Sequence, residues 1–168
     1  MTIRDAAPSD ADDVYRLLSG FVTSYGPDRA VFDDVTFPRI IETAADGRAE
    51  FLVAEQASRV VGYLLALRVP TLFAGGMILE LLELTVDASV RGRGTGSALI
   101  RAAQARAREA KDIEVTMPTR RAADFYHGLH ARRLSRLTDC TDDVWRAYIA
   151  QRWAAASPAT MRRRSAAS

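Results

Sequence analysis

The feature that most limits the fold of this chain is a glycine-rich segment between a long apolar run and a helix-forming stretch. Residues 77–86 are apolar except for two glutamates and a threonine, and residues 91–96 read Arg-Gly-Arg-Gly-Thr-Gly. Residues 97–110 have the composition and spacing of an amphipathic helix. Glycines let successive backbone N–H groups converge, and the helix adds the positive end of its dipole. The sequence therefore predicts a strand–loop–helix unit that binds a phosphate or pyrophosphate.

Three alternatives to this anion site can be weighed from the residues alone. A glycine-rich turn without a ligand remains open. A P-loop ends in Gly-Lys-Ser or Gly-Lys-Thr, whereas the only lysine of this chain is Lys111. A dinucleotide fingerprint needs a third glycine, and its position holds Ser97 or Leu99, depending on where the spacing starts. Both nucleotide-binding motifs are therefore excluded.

Apolar runs, turns and caps predict the other elements. Residues 56–59 form a polar turn of hairpin size, and Ser9 or Asp10 is placed to cap the first helix. The predicted strands cover residues 2–4, 50–55, 60–69, 77–86 and 113–117, and further helices cover residues 38–45, 97–110 and 121–129. Residues 144–149 fit a strand or a terminal helix, and we favour the strand. This order predicts a layered α/β (α+β) fold, with a mixed, mostly antiparallel central sheet of about six or seven strands and about four helices.

The length of 168 residues fits one domain, which we assign to residues 1–153. Residues 154–168 contain three consecutive arginines among alanine, serine, proline and threonine, and we expect a disordered basic tail. The net charge is +2, and the chain is close to neutral without those arginines. Nucleic-acid binding rests on the arginine content alone and is therefore weakly supported.

Composition also limits the location and the cofactors. No apolar run approaches the roughly 18 residues of a membrane span, and the first ten residues lack the apolar core of a signal peptide. We therefore expect a cytoplasmic protein without a membrane partner. Cys140 is the only cysteine, and the only histidines, His127 and His130, have no carboxylates at ligand-like spacing. We expect neither a disulfide nor a metal site.

The glycine-rich loop carries a specific spacing. Arg91, Gly94 and Gly96 follow the pattern Gln or Arg, two residues, Gly, one residue, Gly or Ala, at the start of a predicted helix. Together with the Leu-Thr-Val-Asp of residues 84–87, they resemble the cofactor motif of the GNAT superfamily of N-acetyltransferases. Residues 121–126 are similar to the last helix of that family. The resemblance in element order extends from about residue 2 to residue 149 and implies a GNAT-like fold.

The resemblance implies an acetyl-CoA site on this unit. The amides of the loop bind the CoA pyrophosphate, and Thr95 or Ser97 adds a hydroxyl contact. Pantetheine runs along the end of the strand, where the N–H of Leu84 or Thr85 reaches the thioester oxygen and stabilises the oxyanion. The implied cofactor-binding residues are Leu84, Thr85, Val86, Arg91, Gly92, Arg93, Gly94, Thr95, Gly96 and Ser97.

The resemblance also implies candidates for proton transfer. Glu80 and Glu83 are candidate general bases for the attacking amine, and Tyr126 is the candidate general acid for the departing CoA thiolate. Residues three apart in a strand face opposite sides unless a bulge intervenes, so the spacing does not choose between the glutamates. Two alternatives remain open: a glutamate that is only solvated or paired with an arginine, and a tyrosine that belongs to the core.

The implied function is transfer of an acetyl group from acetyl-CoA to a primary amine of a small molecule, peptide or protein, in a ternary complex. A CoA-binding sensor without turnover is the alternative. The candidate acceptor-side residues are the acidic Asp28, Asp33 and Asp34 and the aromatic Tyr25, Phe32 and Phe73. A solvated loop and ordinary packing explain these two groups equally well. Homodimers are common in the family, and the sequence leaves the oligomeric state open.

Overall fold

The computed structural model describes residues 1–20 and 26–117, and the fold is given for those residues. Five strands are present: β1 (Thr2–Asp5), β2 (Ala49–Gln56), β3 (Arg59–Thr71), β4 (Gly76–Val86) and β5 (Glu114–Thr116). The α-helices are α1 (Ala11–Ser19), α2 (Arg29–Val31), α3 (Phe37–Ala45) and α4 (Thr95–Glu109). Short 3-10 helices, Pro8–Asp10 and Ala88–Val90, precede α1 and the glycine-rich loop, and the π-helical Phe32–Thr36 joins α2 to α3.

The strands form one mixed sheet in the order β1-β2-β3-β4-β5, and every neighbouring pair is antiparallel except the parallel β4 and β5. β2 and β3 are joined by a tight turn in which Ala57 and Ser58 have φ values of 50° and 58°. Two successive positive φ angles are typical of the type I′ turn, whose twist matches that of the flanking strands. The predicted hairpin at residues 56–59 is therefore confirmed.

Each face of the sheet carries its own core. Helix α4 covers one face, which we call the α4 face, and helices α1 and α3 cover the other, the α1 face. The α4-face core includes the buried Leu52, Leu64, Leu79 and Leu99, and the α1-face core includes Val14, Phe37, Phe51, Tyr63 and Leu65. Because both faces are covered, the central strands are buried on both sides and read as continuous apolar runs.

The helical region before β2 is longer than the sequence indicates. The sequence predicts only the helix at residues 38–45, whereas the helical backbone begins at Arg29 and passes through a π turn into α3. Asp28 caps its start by accepting a hydrogen bond from the N–H of Val31 at 3.0 Å. Pro38 has no N–H to donate, and the wider π turn lies directly before it. A proline that normally ends a helix is thus tolerated here, which explains the short prediction.

Asp10 lies at the N-cap position of α1, but its side chain does not cap that helix. Its carboxylate accepts a hydrogen bond from the N–H of Ala7 at 2.8 Å and pairs with Arg4 at 2.7 Å. The side chain of Asp10 is only 6% exposed, so it needs these donors. The prediction of a side-chain cap on α1 by Ser9 or Asp10 is therefore wrong, because Arg4 and the turn before the helix compete for the carboxylate.

Buried ion pairs link the C-terminal end of α4, and the residues just after it, to the sheet on the α4 face. Arg68 contacts Glu50 at 2.5 Å and Asp112 at 3.0 Å. Glu50 also lies 3.3 Å from Arg106, which pairs with Asp5. The side chains of Arg68, Glu50 and Asp112 are 11%, 8% and 1% exposed. We call Arg68, Glu50, Asp112 and Arg106 the Arg68 cluster; its carboxylates are fully compensated by arginines.

The fold class is confirmed, and each predicted strand, together with the helices at residues 38–45 and 97–110, ends within two residues of the observed element. The structure has five strands where about six or seven were predicted, and this count covers the described residues only. The predicted helix at residues 121–129, the element at 144–149 and the tail at 154–168 lie outside the described residues. The domain boundaries, the cytoplasmic location and the homodimer stay predictions.

Candidate active site

A β-bulge in β4 decides where the two candidate glutamates point. Leu81 and Glu83 pair with neighbouring residues of β3, so Leu82 is an extra residue in β4. One extra residue inverts the alternation of side chains beyond it. The β3 partners of Glu80 and Glu83 both pack in or against the α1-face core, and paired residues point to the same side. The bulge therefore brings Glu80 and Glu83 onto the α1 face together.

Glu83 is held by a buried tyrosine. The hydroxyl of Tyr63 donates a hydrogen bond of 2.7 Å to Glu83 Oε2. Tyr63 is only 1% exposed, whereas Glu83 is half-buried. Burial and the negative charge of Glu83 raise the pKa of Tyr63, while the nearby Thr85 hydroxyl opposes this rise. Tyr63 therefore remains a protonated donor, and Glu83 keeps one carboxylate oxygen for another partner.

Glu80 has a different environment. It is half-buried, and within residues 1–20 and 26–117 its carboxylate has neither a hydrogen bond nor an ion pair. In the register it lies beside Thr116 of β5, where the pairing of β4 with β5 ends. Both candidate bases are therefore present on one face, but only Glu83 has a partner in the described part of the chain that fixes its orientation.

The second half of β4 has an open edge. β5 pairs with β4 at Ile78, Leu79 and Glu80, and no described strand pairs with that side of β4 from Leu81 to Val86. An unpaired strand edge presents a row of backbone donors and acceptors that can bind an extended chain. This edge runs directly towards the glycine-rich loop.

The pairing with β3 shows which groups face the open edge. The N–H of Asp87 donates to the carbonyl of Val61 at 2.8 Å. Successive residues of an antiparallel strand direct their backbone groups alternately to the two sides. The backbone groups of Thr85 therefore point to β3, and those of Leu84 and Val86 point to the open edge. The N–H of Leu84, and not that of Thr85, therefore points to the open edge, where the thioester oxygen is predicted to lie.

The glycine-rich loop connects this edge to α4. Gly92 and Gly94 have φ values of 74° and 84°, a region that favours glycine. Gly94 is the N-cap of α4 and supplies no side-chain cap, so the first N–H groups of the helix are not used by a capping side chain. Arg91 turns back and donates to the carbonyl of Val86 at 3.0 Å. The loop thus combines uncapped amides with the positive helix end, as an anion site requires.

An ion-pair clamp fixes the end of β4 against α1. Asp87 accepts hydrogen bonds from the N–H and hydroxyl of Ser89 and from Arg16, the last at 2.7 Å. These donors, led by the backbone N–H of Ser89, lower the pKa of Asp87 to about 2. Arg16 also contacts Asp13 and donates to the carbonyl of Val60. The loop therefore begins from a strand end that is tied to both β3 and α1.

Two buried hydroxyl groups lie beside the candidate bases. Within the described residues, the side-chain oxygens of Thr85 and Thr116 are buried and have no hydrogen-bond partner. Thr85 lies two residues after Glu83, and Thr116 is opposite Glu80 in the register. Buried polar atoms normally have a partner. Since the Tyr63 hydroxyl is the polar group near Thr85, it is beside Thr116 and Glu80 that a further polar group is expected.

The predicted acceptor-side residues are not brought together as a group. Asp28 caps the helical segment, Asp33 pairs with Arg29 at 2.6 Å, and Phe32 is buried in the α1-face core. Phe73 is 69% exposed in the turn between β3 and β4. Tyr25 and the candidate acid Tyr126 lie outside the described residues, as do both histidines and Cys140. Ordinary structural roles thus explain Asp28, Asp33 and Phe32.

Sequence reasoning missed Tyr63, the residue that contacts Glu83. Its sequence signal is weak, because Tyr63 is one aromatic within the apolar run of β3. A hydroxyl in a buried strand does require a partner, which is the signal that was available. Finding Glu83 as that partner would have required the register of two strands and the bulge at Leu82.

The chain belongs to the acetyltransferase (GNAT) family, whose model matches residues 12–130. Its fold is similar to that of ribosomal-protein-alanine N-acetyltransferase from Brucella melitensis biovar Abortus 2308, with a TM-score of 0.61, 20% identity, and coverage of 84% of this chain and 96% of that chain. Glucosamine-6-phosphate N-acetyltransferase from Arabidopsis thaliana gives a TM-score of 0.65 at 16% identity, with coverage of 84% and 96%.

A third similar structure is the PaiA N-acetyltransferase from Thermoplasma acidophilum in complex with coenzyme A. It has a TM-score of 0.63 and 15% identity, and the match covers 76% of this chain and 86% of that chain. Comparison with curated protein sequences gives no significant match. The structural similarities therefore establish the fold, and the family match establishes the acetyltransferase class.

Within residues 1–20 and 26–117, no helix is long and apolar enough to cross a membrane. No group of three or more histidine, cysteine, aspartate or glutamate side chains there could hold a metal ion. Since His127, His130 and Cys140 lie elsewhere in the chain, the expected lack of a metal site stays a prediction.

Proposed function

We propose that this protein transfers an acetyl group from acetyl-CoA to a primary amine by direct attack in a ternary complex. The observation that carries the proposal is the juxtaposition of three features at the end of β4. They are the open edge from Leu81 to Val86, the uncapped start of α4, and the half-buried Glu83. Each feature supplies one requirement of the reaction: a place for the thioester, a place for its phosphates, and a base.

The cofactor part of the proposal uses backbone groups. The amides from Arg91 to Ser97 would bind the CoA pyrophosphate at the positive end of α4. The pantetheine arm would lie along the open edge and pair with Leu84 and Val86 as a short additional strand does. The N–H of Leu84 would then stabilise the oxyanion, an effect worth roughly 3 kcal/mol for one well-placed donor. The coenzyme A complex of the similar PaiA structure supports this assignment.

The acceptor part uses the α1 face. A primary amine with a pKa near 10 is mostly protonated at neutral pH and must lose a proton before it attacks. We assign that role to Glu83, whose carboxylate is oriented by a hydrogen bond and has a second oxygen for the amine. Glu80 on the same face is the alternative base, acting directly or through a water. Tyr126 is proposed as the general acid that protonates the CoA thiolate.

We propose that the acceptor is a primary amine, either of a small molecule or of a peptide or protein. Similar structures include proteins named for each type: glucosamine-6-phosphate and ribosomal-protein alanine. Asp28 and Asp34 are both exposed, but Asp28 caps the helical segment, so Asp34 is the one that would attract a cationic acceptor. A screen with spermidine, kanamycin and a peptide beginning with alanine covers these classes.

The experiment that tests the proposal is calorimetric binding of acetyl-CoA to the wild type and to Ser97→Glu. Ser97 lies in the first turn of α4, where a glutamate suits the helix dipole but places a negative charge in the proposed phosphate site. We expect the affinity to fall at least tenfold without loss of thermal stability. Ala105→Glu adds the same charge to an exposed position of α4 and should bind normally. No binding by the folded wild type would overturn the proposal.

A further inference from the structure

The strongest unexplained feature beside the candidate site is the buried tyrosine that contacts Glu83. We propose that Tyr63 is a positioning residue that orients the carboxylate of Glu83 through its hydroxyl hydrogen bond. This inference rests on the proposed function, because it assigns Tyr63 a role in the same proton transfer. Tyr63 cannot touch the acceptor itself, since it is only 1% exposed.

The orientation is fixed by packing. The Tyr63 ring meets the ring of Phe51 edge-on at a centroid distance of 6.1 Å, and its register partner on β4 is Thr85. A fully buried aromatic ring has little freedom, so the hydroxyl oxygen occupies a defined position. The 2.7 Å hydrogen bond therefore also fixes the position of Glu83 Oε2. Oε1 has no hydrogen-bond partner among the described residues.

The regular pairing beyond the bulge makes this contact possible. Tyr63 pairs with Thr85 and Leu65 pairs with Glu83, so Glu83 and Thr85 are successive residues on the α1 face of β4. The bulge at Leu82 lies between the two glutamates and brings Glu80 onto that face as well.

The test is the split between kcat and KM for Tyr63→Phe, measured by release of CoA thiol with whichever of spermidine, kanamycin and the alanyl peptide is acetylated. Loss of the hydrogen bond should lower kcat roughly tenfold, because the base is no longer held in position, and should leave the KM for the acceptor close to that of the wild type. Acetyl-CoA affinity should not change. Tyr15→Phe is the matched control, because it removes a tyrosine hydroxyl that bonds the carbonyl of Pro27 instead.

A double-mutant cycle separates positioning from general stability. In a Glu83→Gln background, Tyr63→Phe should have no further effect on kcat/KM, because its action passes through the carboxylate. Additive losses, or an unchanged kcat in Tyr63→Phe, would overturn the inference while leaving the proposed function intact. Absence of acetyl transfer by the wild type would instead overturn the proposed function.

A second measurement does not depend on an acceptor or on Tyr63→Phe folding. The infrared stretch of the Glu83 carboxylate, with Glu83→Gln as the blank, reports its hydrogen bond directly. Replacing Tyr63 by 3,5-difluorotyrosine keeps the shape but strengthens the donor, so the stretch should shift relative to that of the wild type. An unchanged stretch would show that the hydroxyl does not hold the carboxylate and would overturn the inference.

Discussion

Carboxylates on the two faces of the same sheet have very different surroundings. On the α4 face, Glu50 and Asp112 are almost fully buried and contact Arg68 at 2.5 and 3.0 Å. On the α1 face, Glu80 and Glu83 are half-buried, and no arginine of the described residues pairs with them. A buried charge without a counter-charge is costly, so the first pair is a structural arrangement. The second pair is kept in contact with solvent and open to a ligand.

This difference shows that the role of an acidic residue in an apolar strand cannot be predicted from the sequence of that strand alone. Glu50 and Glu83 both interrupt apolar runs and would be equal candidates for a functional role by composition. Arginines of the Arg68 cluster bind both carboxylate oxygens of Glu50, so neither oxygen is free to bind a substrate. Glu83 keeps one oxygen without a partner among the described residues, and its side chain lies on the other face of the sheet, away from these arginines. The comparison predicts that mutations of one set affect stability and mutations of the other affect activity.

The largest expected effect is on stability. Arg68→Ala should lower the free energy of unfolding by about 3–5 kcal/mol, because it leaves Glu50 and Asp112 buried without their partner. Urea denaturation measures this. Arg48→Ala is the matched control: it breaks an ion pair whose side chains are 68% and 63% exposed, and should change stability by less than about 1 kcal/mol. Equal losses of stability in the two variants would mean that the buried ion pairs of the Arg68 cluster contribute no more than an exposed pair.

The next effect is on activity. Glu83→Gln should lower kcat/KM by roughly 10²-fold or more through loss of the base, while the unfolding midpoint changes little. The amide retains an oxygen that can still accept from Tyr63. Glu80→Gln is the matched variant on the same face and should have the smaller effect. Full activity of both variants would favour a bound water or another group as the base, and normal acetyl-CoA binding without any turnover would favour a sensor.

The smallest effect concerns acid stability at the end of β4. The pKa of Asp87 is about 2 in the folded state, below its ordinary value, because Ser89 and Arg16 donate to it. A lowered folded-state pKa stabilises the protein above the ordinary value, and the contribution disappears as the pH falls from about 4 to about 2. The difference in Tm between the wild type and Asp87→Asn should therefore be constant above pH 5 and vanish near pH 2.

Ser89→Ala offers an intermediate change at the same position. It removes one donor to Asp87 but leaves the backbone N–H and Arg16 in place. The Tm difference from the wild type should have the same sign and pH dependence as that of Asp87→Asn, with a smaller size. A difference that persists unchanged at pH 2 would mean that Asp87 acts through packing and not through its charge.

Much of the fold could be predicted because it depends on local patterns. The apolar runs of β2, β3 and β4, the hairpin turn between β2 and β3, and the glycine loop before α4 are each encoded by neighbouring residues. The helical start at Arg29 was missed because Pro38 resembles the first residue of a helix, and the role of Asp10 was missed because its partner Arg4 lies on β1. Failures thus occur where a nonlocal partner or an irregular turn overrides the local signal.

The strand–loop–helix unit, the candidate glutamates and the family could be predicted from the sequence, because they depend on residue type and spacing along the chain. The three-dimensional structure was needed to show that Glu80 and Glu83 share a face and that Leu84 rather than Thr85 points to the open edge. It was also needed to find the hydrogen bond from Tyr63 to Glu83. The cause is the two-residue repeat of a β-strand. One extra residue at Leu82 reverses every side chain beyond it, and its place is known only when β3 and β4 are paired.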